Sequence, residues 1–448
     1  MTPLPAAAAR EQPYAWYVVF SLALINMVSY IERQIPTLLF APIKKDFGLT
    51  DTEVSLLAGF AFVLFYVGFG LIVGRLADRM SRKRIIGIGV VLWSLATMTC
   101  GLASSFAQLF AARVAVGVGE ATLGASATSI LADYFPRGRL ARALGVYSCA
   151  QYLGAGFALV VGGAAIKAVS AMTLPVLPLV GRIAPWQATF LVVGLFGSLV
   201  LVPFIFVREP VRRGVTVDEA QARRGVPLAE LFAFMKLNWK TLTTHITAFS
   251  IVSTLGFGTV AWMPTYFVRV HHWAIHDIGY VYGMMFAFLG AAGVLAGPRF
   301  AEWLARFGYS DVYLRVPMIS LAVTAIPAAL VPLMPTAQAS LAVLVVSIFL
   351  SSIPVALIIA ALQAITPNQL RGQIVSIYLF VANIIGVGLG PVVVAAITDY
   401  VFHDEHAVGL AITTATLAIT PPVVLLLRLG LKPFRESLSR AQAWADHA

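Results

Sequence analysis

Glu32 and Arg33 stand side by side inside the apolar stretch AWYVVFSLALINMVSYIERQIPTLLF, and Arg113 and Glu120 lie seven residues apart inside another. A charge at the centre of a membrane-spanning helix costs about 2.5–3.5 kcal/mol on insertion scales. A chain has reason to keep four of them if they meet a substrate, an ion or one another. Their types suit the movement of an acidic molecule. The planar guanidinium fork of Arg33 or Arg113 matches a carboxylate or phosphate, and Glu32 or Glu120 can pair with those arginines or exchange protons. A substrate that takes the arginine releases the carboxylate to accept a proton, which couples the two movements. The alternative is a pair of structural ion pairs tying two helices together, although desolvation of buried pairs can exceed the Coulomb gain.

The elements that position these charges follow from composition. Of 448 residues, 59% are hydrophobic and 11% charged, against about 25% charged in soluble domains, and the mean hydropathy is +0.87. Apolar runs of about twenty residues, enough to cross a ~30 Å hydrocarbon layer, predict twelve spans: 15–40, 54–74, 85–104, 107–134, 143–168, 186–207, 239–267, 277–297, 314–334, 339–364, 373–398 and 409–429. The ten-residue alternating segments of a β-barrel are absent. The fold class is an all-α polytopic membrane protein. A polar connector from Arg208 to Lys236 divides it into an N-terminal six-helix bundle (1–207), a cytoplasmic linker (208–238), a C-terminal six-helix bundle (239–430) and a cytoplasmic tail (431–448). With the N-terminus inside, 24 of the 31 Lys and Arg fall on the cytoplasmic side and five (Lys44, Lys45, Lys167, Arg182, Arg269) outside, which places both termini in the cytoplasm. The N-terminus shows no cleavable signal pattern, so the first span is expected to be retained.

The two halves repeat. Arg139, Gly154 and Gly156 recur as Arg371, Gly386 and Gly388, a constant shift of 232 residues. Parallel six-helix repeats are a transporter architecture. Pro36, Pro264, Pro354 and Pro391 interrupt apolar runs and predict kinks. Cys100 and Cys149 lie in apolar runs and read as packing residues.

After the second span comes Gly74-Arg75-Leu76-Ala77-Asp78-Arg79-Met80-Ser81-Arg82-Lys83-Arg84. This resembles the G-x-L-a-D-r-x-G-r-[KR]-[KR] loop of the major facilitator superfamily, with Ser81 in place of the second glycine. Tyr30-Ile31-Glu32-Arg33, Arg113 to Ala121 with Gly117, Gly119 and Glu120, and Ala132-Asp133-Tyr134-Phe135 resemble elements of that superfamily's spinster branch, Glu32 standing where Asp is usual. The resemblance is strong in the N-terminal half and weak in the C-terminal half. It implies two pseudo-symmetric six-helix bundles and a conformational latch made of Gly74, Asp78, Arg79, Arg82, Asp133 and Arg142. It also implies alternating access with a lysophospholipid or sphingoid phosphate as substrate. Small organic anions such as sugar acids, and multidrug export, are the competing substrates.

The expected substrate-binding residues are Arg33, Arg113, Tyr147, Gln151, Tyr266 and Asn383, with Glu32 and Glu120 as the proton-coupling carboxyls. His245 is expected near the cytoplasmic end of the seventh span. The driving force is expected to be a proton gradient, with no cofactor and no metal, because no metal-ligand spacing, nucleotide loop or cofactor fingerprint occurs. No Ser/His/Asp set is present, so an enzyme is not expected. The basic residues sit in short loops, which reads as topology and not as nucleic-acid binding. The partners are the lipid bilayer and a small anionic or amphiphilic substrate, and the protein is expected to act as a monomer in the cytoplasmic membrane.

Overall fold

A computed structural model describes residues 12–135, 137–172, 176–177, 181–210, 228–367 and 369–445. Twelve helical segments are long and apolar enough to cross a membrane: spans one to six are Pro13–Leu38, Asp51–Gly70, Arg82–Cys100, Phe106–Tyr134, Arg142–Ser170 and Pro185–Ile205. Spans seven to twelve are Trp239–His271, Ile275–Ala305, Val312–Leu333, Ala337–Ile365, Arg371–Phe402 and Glu405–Ala441. The count agrees with the hydropathy pattern. Side chains such as Phe20, Ile88, Leu195 and Leu429 are exposed, as lipid-facing residues should be.

Local signals set the helix ends. Gly48 closes the short helix Phe40–Phe47 in the left-handed region, φ 65°, which only glycine adopts freely. Thr50 opens span two with a capping box to Glu53. Ser81 and Ser105 cap spans three and four through their hydroxyls. Between spans five and six, Val176–Leu177 and Gly181–Arg182 form a two-residue antiparallel ladder.

The helices cluster into two units, and the division differs from the sequence boundaries. One unit holds Met1–Leu49, Phe60–Arg213 and Ala274–Ala287; the other holds Thr50–Gly59, Gly214–Trp273 and Phe288–Ala448. The first turns of spans two and eight are therefore grouped with helices of the opposite sequence half. Glycine explains both exchanges. In the first unit Gly154 lets span five touch Met27 and Tyr30 of span one, and Gly156 lets it touch Gly283 and Ala287 of span eight. In the second unit Gly386 lets span eleven touch Ser253 and Phe257 of span seven, while Gly59 of span two lies on the carbonyls of Val387 and Gly388. A Cβ at any of these positions would collide. The 232-residue repeat is thus a repeat of helix contacts.

The second unit's core joins Leu242 and Phe249 of span seven, Leu362 of span ten, Ile374 and Tyr378 of span eleven, and Leu427 of span twelve. Leu231 and Phe234 of the linker helix Leu228–Leu237 belong to it, as do Leu431 and Phe434. The segment expected as a separate tail is a continuation of span twelve, helical to Ala445. It is fastened by Ser437 to Thr241 (2.8 Å) and by Arg440 to Asn238 (3.1 Å).

Candidate functional site

The four buried charges divide into two arrangements. Arg33 and Glu120, from spans one and four, form an ion pair. Arg33 Nη2 and Nε donate to Glu120 Oε2 at 2.5 and 3.1 Å, and Ser29 Oγ donates to the same oxygen at 2.8 Å. Glu120 Oε1 is buried without a hydrogen-bond partner. Three rings surround the guanidinium, with Tyr30, Phe62 and Tyr66 centred 4.6, 4.3 and 4.9 Å from Arg33 Cζ. Such contacts favour a cation held away from water. The pair lines a cavity of about 150 Å³ whose other walls are Asn26, Ser29, Tyr30, Tyr66, Leu123, Gly124, Tyr147 and Gln151. Gln151 and Gly124 are its exposed members. Gln151 Nε2 donates to the Tyr30 hydroxyl, and Asn26 Nδ2 donates to the Tyr147 carbonyl at 3.3 Å.

Glu32 and Arg113 do not line this cavity. Glu32 is fully buried on the other side of span one, against spans three and six. Ser94 Oγ lies 3.4 Å from its Oε1, and Thr97 faces the same carboxyl short of hydrogen-bond geometry. Span six approaches through Gly197, where a Cβ would collide with the carboxyl. Arg113 is fully buried and donates to backbone, Nη1 to the Glu32 carbonyl at 3.4 Å and Nη2 to the Arg33 carbonyl at 3.2 Å. Pro36 explains why. It lies inside the helix and has no N–H, so the carbonyl four residues before it, that of Glu32, loses its helical donor. Arg113 supplies the replacement. Gly117 and Gly119 between Arg113 and Glu120 bring span four against Phe62 of span two and Trp93 of span three.

Tyr147 and Gln151 stand at the cavity with Arg33. Tyr266 is fully buried elsewhere, its hydroxyl shared among His271 (2.8 Å), Ser340 (3.1 Å) and the Val331 carbonyl. Asn383 opens a π-helical turn, Asn383–Gly388, and donates to the Leu379 carbonyl at 2.7 Å. It is the repeat equivalent of Gln151, 232 residues on.

Two members of the expected latch meet. Arg82 Nη1 binds Asp133 Oδ2 at 2.5 Å and Ser129 Oγ at 2.8 Å, and Arg82 Nε binds Glu209 Oε1 at 2.9 Å. Glu209 also accepts from Ser81 Oγ (2.9 Å) and the Lys83 N–H (2.8 Å), so it sits at the positive end of the span-three helix. Partial burial pushes the Glu209 carboxyl up, but the Lys83 N–H, Arg82 and Ser81 outweigh it and hold the group below its ordinary range. Arg142 is exposed. The helix backbone runs through Gly74, Asp78 and Arg79, and their side chains lie outside the described residues. Sequence reasoning missed Asn26, Ser29, Tyr66, Phe62, Ser94, Gly197 and Glu209. Of these, Glu209 carried a signal, an acid just after span six within a basic loop. Among the described residues no His, Cys, Asp or Glu cluster could hold a metal.

Comparison with known proteins agrees with the fold. The profile of the Major Facilitator Superfamily matches residues 22–391. The chain is 26% identical over 397 residues to an MFS-type efflux pump of Mycolicibacterium smegmatis, covering 88% of this chain and 87% of that protein. It is 24% identical to a probable L-galactonate transporter of Escherichia coli, over 68% of this chain and 64% of that one. It is 28% identical to protein spinster homolog 1 of Xenopus laevis, over 64% of this chain and 54% of that one. Among solved structures, a bacterial homologue of the human lysosomal transporter spinster, inward-facing and unoccupied, superposes with a TM-score of 0.77 at 24% identity, covering 96% of this chain and 98% of that one.

Proposed function

The chain belongs to the Major Facilitator Superfamily, and from that membership we propose that this integral membrane transporter moves an anionic organic substrate by alternating access, coupled to protons. As a secondary transporter of this family it is not an enzyme. The observation that carries the substrate charge is Arg33, a cation at a cavity wall whose carboxylate partner Glu120 has one oxygen unpaired. An acidic group entering the cavity competes with Glu120 for the guanidinium. Once the buried Glu120 carboxylate loses its cation, taking up a proton is cheaper than remaining an unpaired anion. Glu32, with no cation in salt-bridge range among the described residues, is the second protonatable carboxyl. Tyr147 and Gln151 position the substrate beside Arg33. Arg113 acts by holding the backbone that carries Glu32 and Arg33. Tyr266 and Asn383 are the second unit's candidates. Gly74, Asp78, Arg79, Arg82, Asp133 and Arg142 form the latch, supported by the Arg82–Asp133 pair.

The substrate is an anionic amphiphile such as a lysophospholipid or sphingoid phosphate. Supporting this, among the described residues no Asp, Glu, Lys or Arg is buried in a span interior of the second unit, which suits an alkyl chain. A sugar acid is the second reading, favoured by the hydroxyl and amide lining around Arg33 and by the sugar-acid transporters among the relatives. The protein works as a monomer in the cytoplasmic membrane, with both termini inside, driven by the proton gradient without a cofactor. The test is uptake into proteoliposomes under an imposed pH gradient, with lysophosphatidylglycerol and D-galactonate as separate probes. Arg33→Ala should abolish uptake of the accepted probe. Transport of either anion that survives Arg33→Ala, or a preference for organic cations, would overturn the proposal.

A further inference from the structure

His245 of span seven is expected from sequence near the cytoplasmic end of the helix, yet its ring is enclosed, with 1% of the residue exposed. It meets the rings of Phe249, 4.7 Å between centroids, and of Tyr378 from span eleven, 5.8 Å. Both rings belong to the apolar core of the second unit. Neither Nδ1 nor Nε2 has a hydrogen-bond partner. A neutral imidazole carries one N–H donor and one acceptor nitrogen, so both functions are buried unmet, which is destabilising. Among the described residues this is the one side chain with two such atoms. From span ten, Ile358 turns its backbone towards the ring without completing a hydrogen bond. Phe249 and Tyr378 face the imidazole with their rings and Ile358 with its backbone; of these Tyr378 is titratable, and among the described residues no charged side chain acts on the ring.

A phenylalanine or leucine would fill this space without stranding polar atoms. The ring's nitrogens therefore point to a second state in which they are used. The cover belongs to a helix with two irregular turns: Tyr378 precedes by five residues the π-helical turn Asn383–Gly388, and span eleven carries another at Thr398–Phe402. Such turns are rare, are frequent at functional sites, and are places where helices bend. We infer that His245 is a proton-binding site, closed in this state and opened when span eleven shifts at its π-helical turn. Water then delivers a proton to the ring, and the imidazolium donates to the Ile358 carbonyl. This places a protonatable group in the unit that does not hold Glu32 and Glu120. Its part in coupling rests on the proton coupling proposed above, while protonation of the ring does not.

The test uses the full chain in lipid nanodiscs, labelled with 15N-histidine. One ring signal should be absent from His245→Gln, read as neutral imidazole at pH 8, and convert to imidazolium as the pH falls to 5. A ring still neutral at pH 5 overturns the inference whatever the protein transports. In proteoliposomes, with lysophosphatidylglycerol or D-galactonate as the probe the wild type accepts, His245→Gln and His245→Phe should keep counterflow within about twofold and lose at least about tenfold of pH-driven uptake. Uptake equal to wild type in both variants would refute the coupling role. A wild type indifferent to the gradient would instead refute the coupling proposed for Glu120 and leave the ring titration to decide the fate of His245.

Discussion

Replacing Glu120 with Gln removes the charge bound by Arg33 and nearly preserves the shape. Breaking a buried ion pair by neutralising one partner costs about 3–5 kcal/mol, because the other charge is left uncompensated. Two features of the site reduce that cost. The rings of Tyr30, Phe62 and Tyr66 stay against the guanidinium, a contact worth about 0.5–2 kcal/mol. The cavity of about 150 Å³ also has polar walls and room for water. The expected net loss is about 2–3 kcal/mol in the ligand-free protein, measured by denaturation in mild detergent. The same substitution frees Arg33 for an external anion. If an entering acid no longer has to displace Glu120, recovering about 1.4–2.8 kcal/mol makes binding about 10–100 times tighter. Calorimetry with lysophosphatidylglycerol and with D-galactonate at neutral pH reads this directly, and the ligand should stabilise the variant more than the wild type. Counterflow should persist while uphill uptake fails. A variant as stable as wild type that binds anions no more tightly would refute the competition between substrate and Glu120.

Arg113→Met should destabilise by about 2–4 kcal/mol through its two lost charge-assisted hydrogen bonds; in a Pro36→Ala background, where residue 36 again offers an N–H to the Glu32 carbonyl, a double-mutant cycle should show a coupling of about 1 kcal/mol. Gly197→Ala, which drives a Cβ into the Glu32 carboxyl, should cost about 1–3 kcal/mol, seen as a lowered melting temperature with anion binding at Arg33 intact. Asp51→Asn weakens the bidentate pair with Arg269 (2.5 and 2.8 Å) in the second unit; Glu405 and the Trp262 ring still hold the arginine, so a melt should show about 1–2 kcal/mol lost, less than for an unshared pair. Because the folded protein holds Glu209 below its ordinary range, its stabilisation is present above the unfolded value near 4.3 and fades as the pH falls through the folded value. Wild type should therefore exceed Glu209→Gln in stability at pH 7, with the two curves converging on acidification.

The spans were legible because a twenty-residue apolar run has few other uses. The ends were less legible. The helix of span twelve runs on to Ala445 because Leu431, Phe434 and Ser437 bury one face of an otherwise charged segment, a pattern that hydropathy averages away. The exchange of the first turns of spans two and eight was not legible from hydropathy at all. It depends on where Gly59, Gly156 and Gly283 let backbones touch, and a small residue in an apolar run looks the same whether it faces lipid or a neighbouring helix. Ser29, Ser94 and Gly197 escaped notice for the same reason. Tyr147 and Gln151 line the same cavity because a spacing of four sets them on one helix face.

The fate of Arg113 shows what spacing can decide and what it cannot. Seven residues put Arg113 and Glu120 on one face of span four, and both are buried. A shared face, however, says nothing about depth along the neighbouring helix. Two turns apart, the two side chains meet different parts of span one. Glu120 reaches the Arg33 side chain, and Arg113 reaches the carbonyls of Glu32 and Arg33. The information needed to separate them was in span one. A proline at position 36 leaves an acceptor at position 32 unpaired, and a buried unpaired carbonyl needs a donor. With five donors and no acceptor, Arg113 meets that need. The intramembrane proline and the intramembrane charge, taken singly, each look like a device for transport. Together they explain each other, leaving Arg33 as the arginine whose charge faces the cavity.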